Sequence, residues 1–200
     1  MVVATGFFDG VHAGHRLVLN RLVETARARG GQSLVVTFWP HPRNVLQSDA
    51  SSLRLLTSLD EKKELILGLG VDRIEVIEFT KEFSRLTAEE YFRDYVAARF
   101  GGDTVVLGYD NRVGCDCRNV EEAMQAAERT GLEVIVADRL ASDTGTAVSS
   151  TWIRAMIEAG EMETAAGMLG YSYRLTGVVV SGEHLGKMMG FPTANMELYE

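Results

Sequence analysis

The sequence predicts an α/β fold in which a doubly wound parallel sheet is followed by a β-hairpin. Apolar runs typical of buried strands alternate with segments of helical periodicity, which is the pattern of a parallel sheet with helices on both faces. Hydroxyl residues begin several of these helices and glycine pairs end them. From Leu175 the pattern changes to a strand that no helical segment follows, which is typical of a hairpin.

The elements of the sheet follow one another regularly. Strands are predicted at 2–4, 33–38, 73–78, 104–108 and 132–136. Helical segments begin near residues 15, 57, 87 and 120, between successive strands, and two more begin near 147 and 160. The segments 44–56 and 141–145 are predicted as polar surface loops, and the first of them could close over a substrate.

The composition is that of a globular protein with a sizeable core. The chain has 200 residues, of which 46% are hydrophobic and 24% charged. A net charge of −8 gives no general reason to approach nucleic acid or an anionic membrane surface. With only two cysteines, no secretory leader and no apolar run near the roughly 20 residues of a membrane helix, we expect a cytoplasmic, reduced protein of undetermined oligomeric state.

Two glycines and two histidines stand where the first helix begins. Gly10 and Gly14 let the backbone approach a ligand, and the N–H groups of a helix start attract an anion. His12 and His15 are three residues apart, so both imidazoles can reach one polyphosphate. The spacing alone leaves two alternatives open: a corner capped by polar side chains, and a metal site formed by Asp9 and the two histidines.

Polar residues also follow two other strands. Trp39 to Arg43 contains two prolines around a histidine, which predicts a stiff, non-helical loop, and Asp110 follows the strand 104–108. Ligands of open parallel sheets bind at these carboxyl ends. Each feature alone is also consistent with a rigid turn or a loop cap.

A hydroxyl-rich helix start lies at 147–154. Ser150 or Thr151 is expected to cap this helix. Arg154 lies in the first turn, where the helix dipole disfavours a cation by a few tenths of a kcal/mol unless an anion is present. A triphosphate would supply that anion.

Residues 8–15 (Phe-Asp-Gly-Val-His-Ala-Gly-His) resemble the first signature of the nucleotidylyltransferases, in the form found in the prokaryotic bifunctional riboflavin kinase/FAD synthetase family. Residues 149–154 (Ser-Ser-Thr-Trp-Ile-Arg) resemble the second signature, and 37–42 (Thr-Phe-Trp-Pro-His-Pro) resemble a run that borders the flavin in that family. The resemblance extends over nearly the whole chain.

The resemblance implies a Rossmann-like nucleotidylyltransferase domain at 1–170 that uses Mg²⁺ and transfers AMP from ATP to the phosphate of FMN, giving FAD and pyrophosphate. It implies small-molecule substrates, and neither nucleic acid nor a membrane is an expected partner. The catalytic residues would be His12, His15 and Arg154; the ATP-binding residues Gly6, Phe7, Asp9, Gly14, Ser149, Ser150 and Thr151; and the flavin-binding residues Thr37, Pro40, Pro42 and Asp110.

Residues 182–195 resemble the opening of a flavokinase barrel, which implies that 171–200 is the first β-hairpin of an incomplete β-barrel. In a complete kinase domain Gly186, Lys187, Thr193 and Asn195 would contact ATP, and Thr193 and Asn195 would also bind Mg²⁺. Because a lone hairpin forms no closed core, we expect no kinase activity from this chain.

The loop after 104–108 departs from the family pattern. Asn111 stands where the family usually has an aromatic residue, Val113 replaces a phenylalanine, and 115–118 reads Cys-Asp-Cys-Arg instead of a basic glycine-rich loop. This departure and the incomplete kinase part leave open a catalytically impaired flavin- or nucleotide-binding module. Because the two signatures alone do not name the acceptor, a nucleotidylyltransferase with another phosphate acceptor is a second alternative.

Overall fold

The computed structural model describes residues 1–46, 53–138, 148–183 and 185–198. Its centre is a parallel sheet of five strands with the order β3-β2-β1-β4-β5. The strands are β1 (Val2–Thr5), β2 (Ser33–Trp39), β3 (Arg73–Glu78), β4 (Thr104–Gly108) and β5 (Glu133–Ala137). All five lie within one residue of the predicted bounds, so the predicted α/β class is confirmed.

Helices cover both faces of the sheet. They are α1 (Ala13–Ala28), α2 (Pro42–Leu46), α3 (Leu59–Gly68), α4 (Ala88–Glu90, continued by a π-helical segment Tyr91–Arg99), α5 (Val120–Arg129), α6 (Ser150–Glu158) and α7 (Met162–Leu169). One apolar core lies on the side of α1 and α3 and includes Leu19, Leu22 and Ile66. The other lies on the side of α4 and α5 and includes Phe92, Val96 and Ala123.

The strand order reverses between β1 and β4. The chain winds outward from β1 to β2 and β3, then returns to the other side of β1 for β4 and β5. The loops that leave neighbouring strands at such a reversal diverge, which opens a crevice at the carboxyl ends of those strands. The turn with the two histidines leaves β1, and the loop with Asp110 leaves β4, so both border this crevice.

The helix starts are set by side-chain caps, as expected. Ser58 and Thr87 each form a reciprocal capping box, with Glu61 and Glu90 respectively. The expected cap of α6 is wrong by one or two residues, because it is the Ser149 hydroxyl that accepts from the Trp152 N–H.

Two other local predictions are wrong. The stiff segment after β2 is helical from Pro42 onward, since proline at a first helical position lacks only an N–H that would have no intrahelical partner. Leu56 is buried and does not lie in a surface loop. Of the other residues in that predicted loop, 44–46 belong to α2 and 53–55 are in neither a helix nor a strand, whereas 47–52 lie outside the described residues. The loop predicted at 141–145 also lies outside them.

The last part of the chain forms an antiparallel pair of strands, β6 (Gly177–Val180) and β7 (Asn195–Leu198). A short helix, α8 (Leu185–Met188), lies between them, which the sequence did not predict. Large apolar side chains of this hairpin, Val179, Met188 and Phe191 among them, are exposed. Among the described helices, none combines the length and apolarity needed to cross a membrane.

Candidate functional site

Two cavities open at the carboxyl ends of the strands. The first, of about 360 Å³, is called the histidine cavity, and its wall includes His12, His15, His41, Arg43, Asp110 and Arg154. The second, of about 320 Å³, is called the aromatic cavity, and its wall includes Phe38, Pro42, Phe79, Phe83, Tyr91 and Val113. Both walls share Thr5, Gly6, Phe7 and Asn111, so the two cavities meet at the end of β1.

The two histidines stack against each other at the start of α1. Their ring centroids are 3.6 Å apart, and the Nδ1 atom of His12 accepts the His15 backbone N–H at 3.3 Å. This bond leaves the His12 proton on Nε2. Burial lowers the pKa of His12 to about 4, and burial together with the neighbouring His12 and Lys62 lowers that of His15 well below its usual range. Both rings are therefore neutral at pH 7.

His15 carries a buried polar atom in the wall of the histidine cavity. Its Nδ1 is buried and has no hydrogen-bond partner among the described residues. Buried polar atoms are nearly always paired, so an unpaired one at a cavity wall is a sign that a ligand or water binds there.

The turn that carries these histidines has a strained backbone. Phe8, Gly10 and Val11 have φ angles of 54°, 74° and 37°, and a positive φ is rare for a β-branched residue such as Val11. Tertiary bonds hold the turn: the Gly10 N–H donates to the Thr57 hydroxyl at 3.2 Å, and the Tyr171 hydroxyl donates to the Gly10 carbonyl at 2.7 Å. Strain that the surroundings maintain in this way is typical of functional sites.

Asp9 forms a buried ion pair with Arg154. The Arg154 Nη2 donates to the Asp9 Oδ2 at 2.6 Å, and the other Asp9 oxygen accepts the N–H groups of Leu56 and Thr57 at 2.9 and 3.3 Å. Burial raises the pKa of Asp9, while Arg154 opposes that rise. Arg154 is the fifth residue of α6, so it lies just beyond the first turn in which it was predicted. The anion that pairs with it is a carboxylate of the same chain.

This pairing also bears on the metal alternative. Both oxygens of Asp9 already accept hydrogen bonds from cationic or amide donors, which does not favour coordination of a cation with His12 and His15. Within the described ranges, no three His, Cys, Asp or Glu side chains are grouped as metal ligands would be.

The three hydroxyl residues at the start of α6 all line the histidine cavity. Ser149 caps the helix, Ser150 donates to the Asp9 carbonyl at 3.1 Å, and Thr151 is exposed. Gly6, Phe7 and Gly14 line the same cavity. The structure therefore brings together all ten residues predicted to contact ATP or to be catalytic.

The four predicted flavin-binding residues are separated. Pro42 lines the aromatic cavity, whereas Asp110 lines the histidine cavity. Thr37 is buried and donates its hydroxyl to the Phe7 carbonyl at 3.1 Å. Pro40, which follows a cis peptide bond, lines neither cavity.

Sequence reasoning missed several residues of the site. His41 and Arg43 line the histidine cavity, although they belong to the loop predicted to border the flavin. Tyr91 shares a hydrogen bond of 2.7 Å with the Thr5 hydroxyl and lines the aromatic cavity. Lys62 is buried behind Phe7. The only signal for His41 was its position between two prolines, and neither Tyr91 nor Lys62 stood out within its helix.

The unusual loop after β4 is held by hydrogen bonds to β1, β4 and α4. The Asn111 Oδ1 accepts the Gly108 N–H at 2.7 Å, and its Nδ2 donates to the Thr5 carbonyl at 3.0 Å, so this side chain joins the ends of β1 and β4. Asp116 accepts the Ala88 N–H at 2.8 Å at the start of α4. The negative charge of this loop therefore faces a helix N-terminus, where it is favourable.

The residues predicted for a kinase domain lie outside both cavities. Gly186 lies in α8, and its carbonyl accepts the Phe191 N–H at 2.8 Å in a turn that brings it next to Thr193. Lys187, Thr193 and Asn195 are exposed, and Asn195 begins β7.

Comparison with known proteins agrees with this geometry. The pattern of the FAD synthetase family matches residues 1–152, and that of the riboflavin kinase family matches 169–200. Bifunctional riboflavin kinase/FMN adenylyltransferases are similar over nearly the whole chain. The protein from Listeria monocytogenes is 38% identical, with 100% of this chain and 63% of that protein covered, and the protein from Escherichia coli K12 is 32% identical, with 98% and 63% covered.

A solved structure shares the fold. The crystal structure of a protein described as a macrolide-efflux protein from Streptococcus pneumoniae superposes with a TM-score of 0.89 at 30% identity, over 100% of this chain and 64% of that one. The chain spans a little under two thirds of the length of these relatives. Because the family pattern matches residues 1–152 of the 200, the chain belongs to the FAD synthetase family.

Proposed function

We propose that this chain transfers AMP from ATP to the phosphate of FMN, forming FAD and releasing pyrophosphate. The observation that supports this proposal best is the meeting of the two cavities at Gly6 and Phe7. One cavity offers neutral imidazoles, cations and a helix start, and the other offers aromatic rings. A phosphate-bearing planar ring bound in the second would bring its phosphate to the edge of the first.

The histidine cavity is assigned to ATP. Neutral His12 can donate its Nε2 proton to a phosphate oxygen. The hydroxyls of Ser150 and Thr151 lie at the start of α6, where N–H groups favour an anion, and Arg154 lies one turn further along the helix. Arg43, which also lines this cavity, adds a further positive charge. These groups would oppose the negative charge that develops as pyrophosphate leaves.

The aromatic cavity is assigned to the isoalloxazine ring of FMN. Phe38, Phe79, Phe83 and Tyr91 come from three separate segments and contact one another in edge and tilted arrangements. Such a set offers a planar apolar ligand both area and ring contacts. This cavity favours a flavin over an acceptor with a flexible aliphatic chain.

In the proposed reaction an oxygen of the FMN phosphate attacks the α-phosphorus of ATP in line. The bond between that oxygen and the α-phosphorus forms as the bond between the α-phosphorus and the bridging oxygen breaks, and pyrophosphate leaves with the electron pair. Positioning and charge stabilisation suffice for this step, and no covalent nucleophile is needed. Asn111 and Gly6 lie where the two substrates would meet.

Mg²⁺ is proposed as the counter-ion of the triphosphate. This cation binds proteins through one or two carboxylates together with substrate phosphates. Asp110 and Asp138 line the histidine cavity and are not paired with Arg154, so their oxygens fit that role. When bound, Mg²⁺ would offset phosphate charge. The proposed domain at 1–170 contains this whole site, and 171–200 would be the opening part of a riboflavin kinase domain.

The test is pyrophosphate release from purified protein with MgATP, with and without FMN. Riboflavin and pantetheine phosphate serve as comparison acceptors. We expect release that depends on FMN and yields FAD. Release with another phosphate acceptor but not with FMN would contradict the acceptor assignment, and binding of FMN and ATP without any release would identify a binding module.

A further inference from the structure

Among the described residues, Lys62 is a charged residue with an almost completely buried side chain. It lies in α3 and is 1% exposed. Its Nζ donates to the Phe7 carbonyl at 3.0 Å and lies 3.9 Å from the centroid of the Phe7 ring and 5.9 Å from that of Trp39. None of the described carboxylates forms an ion pair with it.

This arrangement is unfavourable for stability alone. A buried ammonium loses its hydration, and neither a carbonyl nor a ring replaces a carboxylate as a partner. The Phe7 carbonyl has no need of Lys62, because it already accepts the Thr37 hydroxyl. An apolar side chain such as Met would fill the same space without that loss.

Phe7 occupies the place where such a cation would matter for the reaction. It lines both cavities, and its ring centroid lies 4.0 Å from that of His41 in the histidine cavity. Lys62 contacts Phe7 at both the carbonyl and the ring. A residue held at two points cannot rotate away from the junction of the cavities.

We propose that Lys62 is a positioning residue, whose buried ammonium fixes Phe7 at the junction where the two substrates meet. This inference rests on the proposed adenylyl transfer. Lys62 lines neither cavity, so it acts through Phe7 and not by contact with substrate.

The charge of Lys62 is sensitive to pH. Burial lowers its pKa to about 8; Asp9 opposes that shift and Lys63 adds to it. The positive charge of Lys62 also helps to lower the pKa values of His15 in α1 and His41 in the loop after β2, and both histidines are neutral at pH 7. Lys62 is therefore mostly protonated at pH 7 and loses its charge in mildly alkaline solution, where the contact between cation and ring would weaken.

The test compares K62M and K62R with K63M, the same substitution at the neighbouring, half-buried lysine, whose Nζ pairs with Asp60. In K62M we expect kcat to fall roughly 10- to 100-fold, with the KM for ATP and FMN changed less than about threefold and the melting temperature unchanged or raised. K62R should keep more activity than K62M. The wild type and K63M should lose kcat above pH 8, whereas K62M should show no such loss.

Unchanged kcat in K62M would overturn the proposal, as would a melting temperature that falls with the activity, since that result indicates a structural role. If the wild type releases no pyrophosphate with FMN, the proposed function fails, and the role of Lys62 is then judged by a measurement that needs no turnover.

A readout without turnover uses Trp39. In a W152F background Trp39 is the only tryptophan, and its ring lies 5.9 Å from the Lys62 Nζ. We expect its fluorescence to titrate with a midpoint near pH 8 and K62M to abolish that titration. A titration that persists in K62M would show that another group is responsible and would contradict a charged Lys62.

Discussion

The carboxylate of Asp9 and the guanidinium of Arg154 form an ion pair between segments that lie 145 residues apart in the chain. Their side chains are only 4% and 15% exposed, and the Oδ2 and Nη2 atoms are 2.6 Å apart. The pair ties the strained turn after β1 to the start of α6, so the two signature segments are joined by a direct bond.

Removal of Arg154 should destabilise the fold, because it leaves the Asp9 carboxylate buried and uncompensated. We expect R154M to lower the free energy of unfolding by roughly 3 kcal/mol at pH 7. The loss should shrink as the pH falls, since the pKa of Asp9 is already raised by burial and rises further without Arg154, which allows the carboxyl to be protonated in the folded state.

Urea denaturation at pH 5 and pH 7 measures this difference. The double variant D9N/R154M is the control. It should recover most of the stability that R154M loses, because no buried charge is left. A double variant no more stable than R154M would contradict the ion-pair explanation.

His12 combines a helix cap with a proposed catalytic role, and two variants separate them. H12A removes both, so we expect a loss of about 1 kcal/mol in the free energy of unfolding and a fall in kcat of roughly 100-fold. H12N keeps a capping oxygen and should lose the activity but not the stability. Urea denaturation and FMN-dependent pyrophosphate release check the two effects, and an active H12N would refute the catalytic assignment.

Acid should destabilise the folded protein through His12. Its folded-state pKa of about 4 lies below the ordinary value of 6.5, so between pH 6.5 and pH 4 the unfolded chain binds a proton that the native state does not. We expect up to roughly 3 kcal/mol of stability to be lost over that range. In H12N the free energy of unfolding should depend less on pH. Parallel curves for wild type and H12N would contradict the burial of a neutral imidazole.

Asn111 should be needed for the junction of the cavities, although it departs from the family pattern. N111A leaves the Gly108 N–H and the Thr5 carbonyl without their partner, which should lower the free energy of unfolding by about 1–3 kcal/mol and raise the KM for FMN. N44A, at an exposed asparagine of α2, is the control. If N111A matched N44A in stability and KM, the bonds of Asn111 would have no role at the site.

Some features of this protein follow from local sequence alone. The strands 73–78 and 104–108 agree with the predicted bounds to the residue, and α5 begins at the predicted position, 120, because periodicity, capping side chains and glycines act over a few neighbouring positions. The ten residues predicted for ATP and catalysis line one cavity because both signatures stand at helix starts beside the same strand reversal.

Tertiary structure decided what depends on burial and on distant partners. The sequence predicts an anion for Arg154 but not that Asp9 provides it, since only the fold brings those segments together. Likewise Lys62 lies in a helix rich in charged residues, and nothing in its neighbours distinguishes it from Lys63, which is only half-buried. Burial depends on which elements pack against a residue, so the sequence determined the elements and the position of the site, and only packing determined which charges lie inside it.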